Sequence, residues 1–157
     1  MHEQFGGHEY AAGLTLKDGA LKEFRKRMNS KAIEELSGNS FEAELLVDAE
    51  IQLADIDGKF WKLLHQFQPF GPANTKPIFV SNGLKVVGVP SIVGNGHLKL
   101  RVRQEDSPVF DAIGFNMHEF MPKVRDGKLF NIAYELEENT WNGNTALQLH
   151  LRDIQET

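Results

Sequence analysis

The sequence predicts a mainly β chain with helical inserts, centred on a small five-stranded Greek-key barrel. Three observations predict it. From Ile78 onward apolar residues recur with period two, glycine-rich turns punctuate these runs, and a single short helical segment separates the third run from the last two.

The first element is Phe5-Gly6-Gly7-His8-Glu9-Tyr10-Ala11-Ala12-Gly13. Two glycines predict a turn, His8 to Ala12 a short helix stopped by Gly13, and Leu14 to Leu16 a strand. From Asp18, read as an N-cap, Leu21, Phe24, Met28, Ala32 and Leu36 recur at helical spacing until Gly38. The other face carries Lys22, Arg25, Lys26, Arg27 and Lys31, as a solvated helix does. Ser37-Gly38-Asn39-Ser40 marks a boundary, so residues 1–38 and 39–157 are expected to be separate domains.

In the second domain, residues 39–76 hold a strand (Phe41 to Ile51), a helix (Asp57 to Phe67, inner stripe Phe60, Leu63, Leu64 and Phe67) and the irregular loop Pro69 to Asn74. The barrel occupies 77–157. Its first strand, Ile78 to Ile92, has kinks at Gly83, Gly88 and Pro90, and Gly94-Asn95-Gly96 is a hairpin turn. In His97 to Gln104, Leu98, Leu100 and Val102 face one side while His97, Lys99, Arg101 and Arg103 face the other. Val109 to Phe115 is a third strand, Met117 to Val124 a short helix, Leu129 to Glu138 a fourth strand, Asn139 to Gly143 a tight connection, and Thr145 to Ile154 a fifth. Three strands, a helix and two strands is the order of the OB-fold, a barrel that binds single strands and oligosaccharides; a β-sandwich is the competitor.

A chain of 157 residues, 41% hydrophobic and 25% charged, is long enough to bury a core. No apolar run approaches the ~20 residues of a membrane span. No secretory signal and no cysteine occur, so disulfides and thiolate metal sites have no support and a cytoplasmic location is expected. The net charge of -5 counts against nucleic-acid binding, but residues 84 to 104 carry Lys85, Lys99, Arg101 and Arg103 and no acid.

That stretch is the candidate binding face. Single strands are held by cations tracking phosphates and by rings stacking on bases. Lys99, Arg101 and Arg103, spaced by two, form a row that Lys85 extends and His97 begins. Any solvated strand face shows similar alternation. Trp141, in a polar loop, is the first stacking candidate, a barrel-end cap being its alternative role; Phe115 and Phe120 are assigned to the core, and Phe70 beneath its loop. The Gly6-Gly7-His8 turn suits an anion, since glycines allow close approach, free N–H groups point outward and His8 adds a donor. Zinc-protease, dinucleotide-loop, phosphate-loop and serine-hydrolase spacings are absent, and no metal site is predicted.

Phe-Gly-Gly-His-x-x-Ala-Ala-Gly at 5–13 resembles the signature of the domain that accompanies Asp-His-His phosphoesterases. The pieces Gln68 to Asn74, His97 to Arg101, Phe110 to Phe115 and Glu137 to Gly143 resemble, in order, the OB domain of the RecJ family of single-strand-specific DNA exonucleases. The resemblance runs from Phe5 to about Ile154. It implies that 1–38 is the C-terminal α/β part of the substrate-binding domain, with Gly6, Gly7 and His8 on substrate phosphate, and that 39–157 is the OB domain. It further implies a parent enzyme of DNA repair and recombination that cuts 5′ to 3′ with manganese or magnesium. The Asp-His-His motif itself is missing from the sequence, so the resemblance places the catalytic domain upstream of Met1 and makes this chain a gripping, inactive portion without a cofactor of its own. Single-stranded DNA, the upstream catalytic domain and a single-strand-binding protein are the implied partners. Two rival readings are a structural or protein-docking OB module, and part of a related small phosphodiesterase.

Overall fold

The computed structural model describes residues 2–8, 10–36, 44–125, 127–141 and 143–157. Two compact units divide the chain, Met1–Glu44 and Leu45–Thr157. The boundary expected after residue 38 falls outside the described residues.

In the first unit, β1 (His2–His8) pairs antiparallel with β2 (Ala11–Leu16), Gly7 opposite Ala12 and His8 opposite Ala11. The helix expected over His8 to Ala12 is therefore a hairpin tip. Five residues are too few to pass the nucleation cost of an isolated helix, whereas Gly7 lets the strands close: a Cβ there would stand 2.8 Å from the Ala11 carbonyl oxygen. Helix α1 (Leu21–Leu36) starts beyond Asp18, because Gly19 takes φ 77 and the Ala20 N–H bonds the Lys17 carbonyl in a turn. Phe24 is its one half-buried residue, and Leu21, Met28 and Ile33 are exposed.

The second unit contains β3 (Ala49–Glu50), α2 (Gly58–His65), β4 (Phe79–Val86), β5 (Ser91–Val93), β6 (His97–Gln104), β7 (Phe110–Gly114), a 3-10 segment His118–Val124, β8 (Phe130–Trp141) and β9 (Asn144–Glu156). Strand order is β3-β4-β8-β9-β7-β6-β5, and the additional β4–β6 pairing closes the sheet into a ring. The circuit β4-β6-β7-β9-β8, with β7 and β9 parallel and the other neighbours antiparallel, is the OB Greek key expected from the element order. Leu84, Leu98, Val102, Phe130, Ile132, Tyr134, Leu149 and Ile154 fill it. The pairs Ala133–Asp153 and Tyr134–Leu151 leave Arg152 unopposed, a bulge that turns Leu149, Leu151 and Ile154 all inward.

Several expected bounds change. The strand expected from Phe41 shrinks to Ala49–Glu50, with Glu44 to Asp48 irregular and 41–43 outside the described residues. The single strand expected over Ile78 to Ile92 breaks where Gly88 takes φ 82 and Pro90 lacks a donor, and β5 folds back onto β6. Asp57 caps α2, accepting from the Lys59 and Phe60 N–H groups; the helix ends at His65, which leaves Phe67 beyond it, and both Leu63 and Phe67 are exposed rather than inward. Met117 to Val124 winds as a 3-10 segment around Pro122. β8 and β9 run on to Trp141 and Asn144, which replaces the expected loop by a tighter hairpin.

Candidate nucleic-acid interface

Strand β6 sorts its side chains as its alternation dictates. Leu98, Leu100 and Val102 enter the core; Lys99 and Arg101 are exposed, and His97 and Arg103 half-buried, on the outer face. Alternate residues of one strand lie about 6.6–6.8 Å apart, so Lys99, Arg101 and Arg103 form a row. Lys85 on β4 pairs with Arg103 and adds a fourth cation beside its end. Among the described residues none of the four takes part in an ion pair. Arg103 Nε is buried without a hydrogen-bond partner. The one carboxylate on β7, Asp111, stands opposite Arg101, and Val89, Ser91, Lys99, Arg101 and Asp111 line an open depression of about 290 Å³.

At the His97 end of the row the sequence reading is corrected. Phe115, assigned to the core, is 52% exposed. Its ring meets His97 on one flank and His150 of β9 on the other, both at 5.0 Å between centroids and at 69° and 84°. The His97 ring is itself fixed, because its Nδ1 accepts the Asn116 N–H at 3.1 Å, where Asn116 turns the chain at φ 58. Phe120 is half-buried against the core, and Lys123 Nζ lies 4.7 Å above its ring.

Beyond His150 the charge changes sign. Glu135, buried in β8, is bound by Arg152 through Nε and Nη2 at 3.0 and 2.5 Å. Glu137 holds Lys76 at 2.7 Å and approaches His150 Nδ1 at 3.4 Å. Burial pushes the Glu137 carboxyl up, yet the Lys76 ammonium, with His150 assisting, draws it below its ordinary range. Glu135, Glu137 and His150 present ligand atoms within 4.8 Å of one another. Arg152 and Lys76 already neutralise both carboxylates, so the trio lacks the surplus negative charge that draws a divalent cation. The Asp-His-His motif is absent from the sequence. The residues present therefore do not fit the manganese or magnesium implied by the resemblance, and no metal step is assigned to them. Next to Glu137, Trp61, His65, Phe70 and Lys76 border a cavity of about 410 Å³, with the Trp61 indole N–H donating to Glu138 at 2.8 Å and Phe70 half-buried.

In the other unit, Gly6, Gly7 and His8 lie in β1, not at a helix start, so a hairpin strand stands where a first helical turn was expected around an anion. Gly7 is explained by strand closure, whereas a Cβ on Gly6 would meet nothing within 4 Å. His8 Nδ1 accepts the Tyr10 N–H at 3.3 Å, and the two rings meet edge to face at 6.3 Å. The Trp141 backbone ends β8; its side chain, the expected stacking residue, lies outside the described residues.

The family described as the RecJ OB domain matches residues 47–153. The single-stranded-DNA-specific exonuclease RecJ of Bacillus subtilis (strain 168) is 32% identical over 150 residues, which cover 95% of this chain and 19% of the relative. That of Escherichia coli (strain K12) is 29% identical over 155 residues, covering 98% of this chain and 26% of the relative. The crystal structure of RecJ in complex with Mn2+ from Thermus thermophilus superposes with a TM-score of 0.67 at 20% identity, over 98% of this chain and 22% of that one, a likeness of fold. The chain thus spans between 19% and 26% of the proteins it matches here.

Proposed function

The chain belongs to the RecJ OB domain family, and on that footing we propose that its barrel grips single-stranded DNA along the outer face of β6 within a 5′-to-3′ single-strand-specific exonuclease. One observation carries the reading: four cations, Lys85, Lys99, Arg101 and Arg103, share one face, and no carboxylate pairs with them among the described residues. An unneutralised row of cations is suited to phosphates. The relatives' names supply the polymer, single-stranded DNA. In this reading the chain holds and orients the strand. Cleavage, with the manganese or magnesium it needs, belongs to a catalytic domain of the full-length enzyme. Gly6 and His8 contribute a phosphate contact from the first unit, supported by the empty space over Gly6.

Fluorescence anisotropy of a labelled oligonucleotide, single-stranded and then annealed to its complement, tests this reading. Preferential binding of the single strand, with no degradation in Mn2+ or Mg2+, is the expected result. Undetectable binding at low salt overturns the grip, and metal-dependent degradation by pure protein overturns the division of labour.

A further inference from the structure

The row of cations accounts for phosphates and leaves the bases without a partner. Resting on the reading above, we infer that Phe115 is a base-stacking residue of this surface, held in place by His97 and His150.

Its position follows from the pairing. Leu98 faces Gly114 across β6 and β7, so His97 and Phe115 lie just beyond that pair, two residues along their strands from Lys99 and its partner Ile113. Phe115 therefore stands at the end of the cationic row. Ile113 pairs in turn with His150 on β9, which brings the second imidazole to the other flank.

Its exposure needs a reason. A phenylalanine that is 52% exposed, directly after a strand whose inward residues are Phe110, Ala112 and Gly114, leaves apolar area in water. Cover was within reach, because the segment that follows packs Met117 and Met121 into the core. Instead Asn116 takes a left-handed turn fastened to His97 Nδ1, and the ring remains outside. Both imidazoles meet it nearly perpendicular, at 69° and 84°. Neither lies parallel to it, so neither is itself stacked on the ring. Two edge contacts restrict its rotation, so little freedom remains to be lost when a base arrives. Phosphates on Lys99, Arg101 and Arg103 and a base on Phe115 are the two halves of sequence-tolerant single-strand recognition.

The test is binding of a short labelled single strand by wild type, Phe115→Ala, Phe115→Leu and Phe115→Trp, each at several salt concentrations. Phe115→Ala is expected to weaken binding roughly 5- to 150-fold, the effect of one lost stack. Phe115→Trp should restore it and Phe115→Leu should not, with the salt dependence unchanged in all four. Wild-type affinity in Phe115→Ala, or full rescue by Leu, would overturn the inference, the latter by showing that apolar bulk suffices. Absence of wild-type binding would instead overturn the proposed function beneath it. Because Trp and Leu both keep a large apolar side chain, a folding defect in the Ala variant alone leaves the comparison decisive.

Discussion

Gln104 ties the barrel to the segment that precedes it: its Oε1 accepts the Leu53 N–H at 2.7 Å while its Nε2 donates to the Asn82 carbonyl at 2.8 Å. Both Gln104 and Leu53 are buried, so the bond between them has no water as a substitute, while the bond to Asn82 is half-buried. Gln104→Leu keeps the size and strands an N–H and a carbonyl. Urea unfolding of this variant should show a loss of roughly 1–3 kcal/mol with an unchanged m value. A loss below about 0.5 kcal/mol would mean that the bonds are dispensable.

Tyr134 makes stability fall at high pH. Its hydroxyl lies 2.9 Å from Ser81 Oγ inside the barrel, and burial pushes its pKa up to about 12 against the opposing effect of that hydrogen bond. The folded state thus holds the proton more tightly than the unfolded chain. The advantage is complete below pH 10 and disappears between pH 10 and about 12, on the order of 2–3 kcal/mol in all. Denaturation midpoints should decline over that window in wild type and decline less in Tyr134→Phe. Parallel curves for the two proteins would contradict the assignment.

Asp111 opposes the cationic row from β7 without pairing with Arg101, its cross-strand neighbour. Asp111→Asn should raise single-strand affinity a few-fold at low ionic strength, with the gain fading as salt screens it. An unchanged or reduced affinity would show that the strand does not pass this carboxylate.

Gly6 and Gly7 should separate by role. A Cβ on Gly7 collides with the Ala11 backbone while one on Gly6 meets open space. Amide exchange across β1 and β2 should therefore quicken in Gly7→Ala and stay at the wild-type level in Gly6→Ala. Equal effects would remove the distinction.

What the sequence disclosed followed the strength of its periodicity. β6 reads directly from Leu98, Leu100 and Val102, and the order of elements around it gives the Greek key. Where glycine and proline interrupt, pattern has two readings: Gly88 and Pro90 divide a strand that looked kinked, and Gly6-Gly7 lies within a hairpin where a turn before a helix was expected. In the run expected over Phe41 to Ile51, Glu44 to Asp48 is irregular and Ala49–Glu50 forms a strand beside β4. Phe115 was within reach, because alternation through Phe110, Ala112 and Gly114 puts it outside; its apolar character pointed to the core instead. His150 was not: only folding brings it beside Phe115 and Glu137.

The central claim is that the outer face of β6 meets phosphate. Single-strand affinity measured against salt, for wild type and for Lys99→Ala/Arg101→Ala/Arg103→Ala, tests it most directly. The plot of log affinity against log salt should flatten in the triple variant by about 2, at roughly 0.7 per phosphate contact. Identical slopes for the two proteins would contradict it.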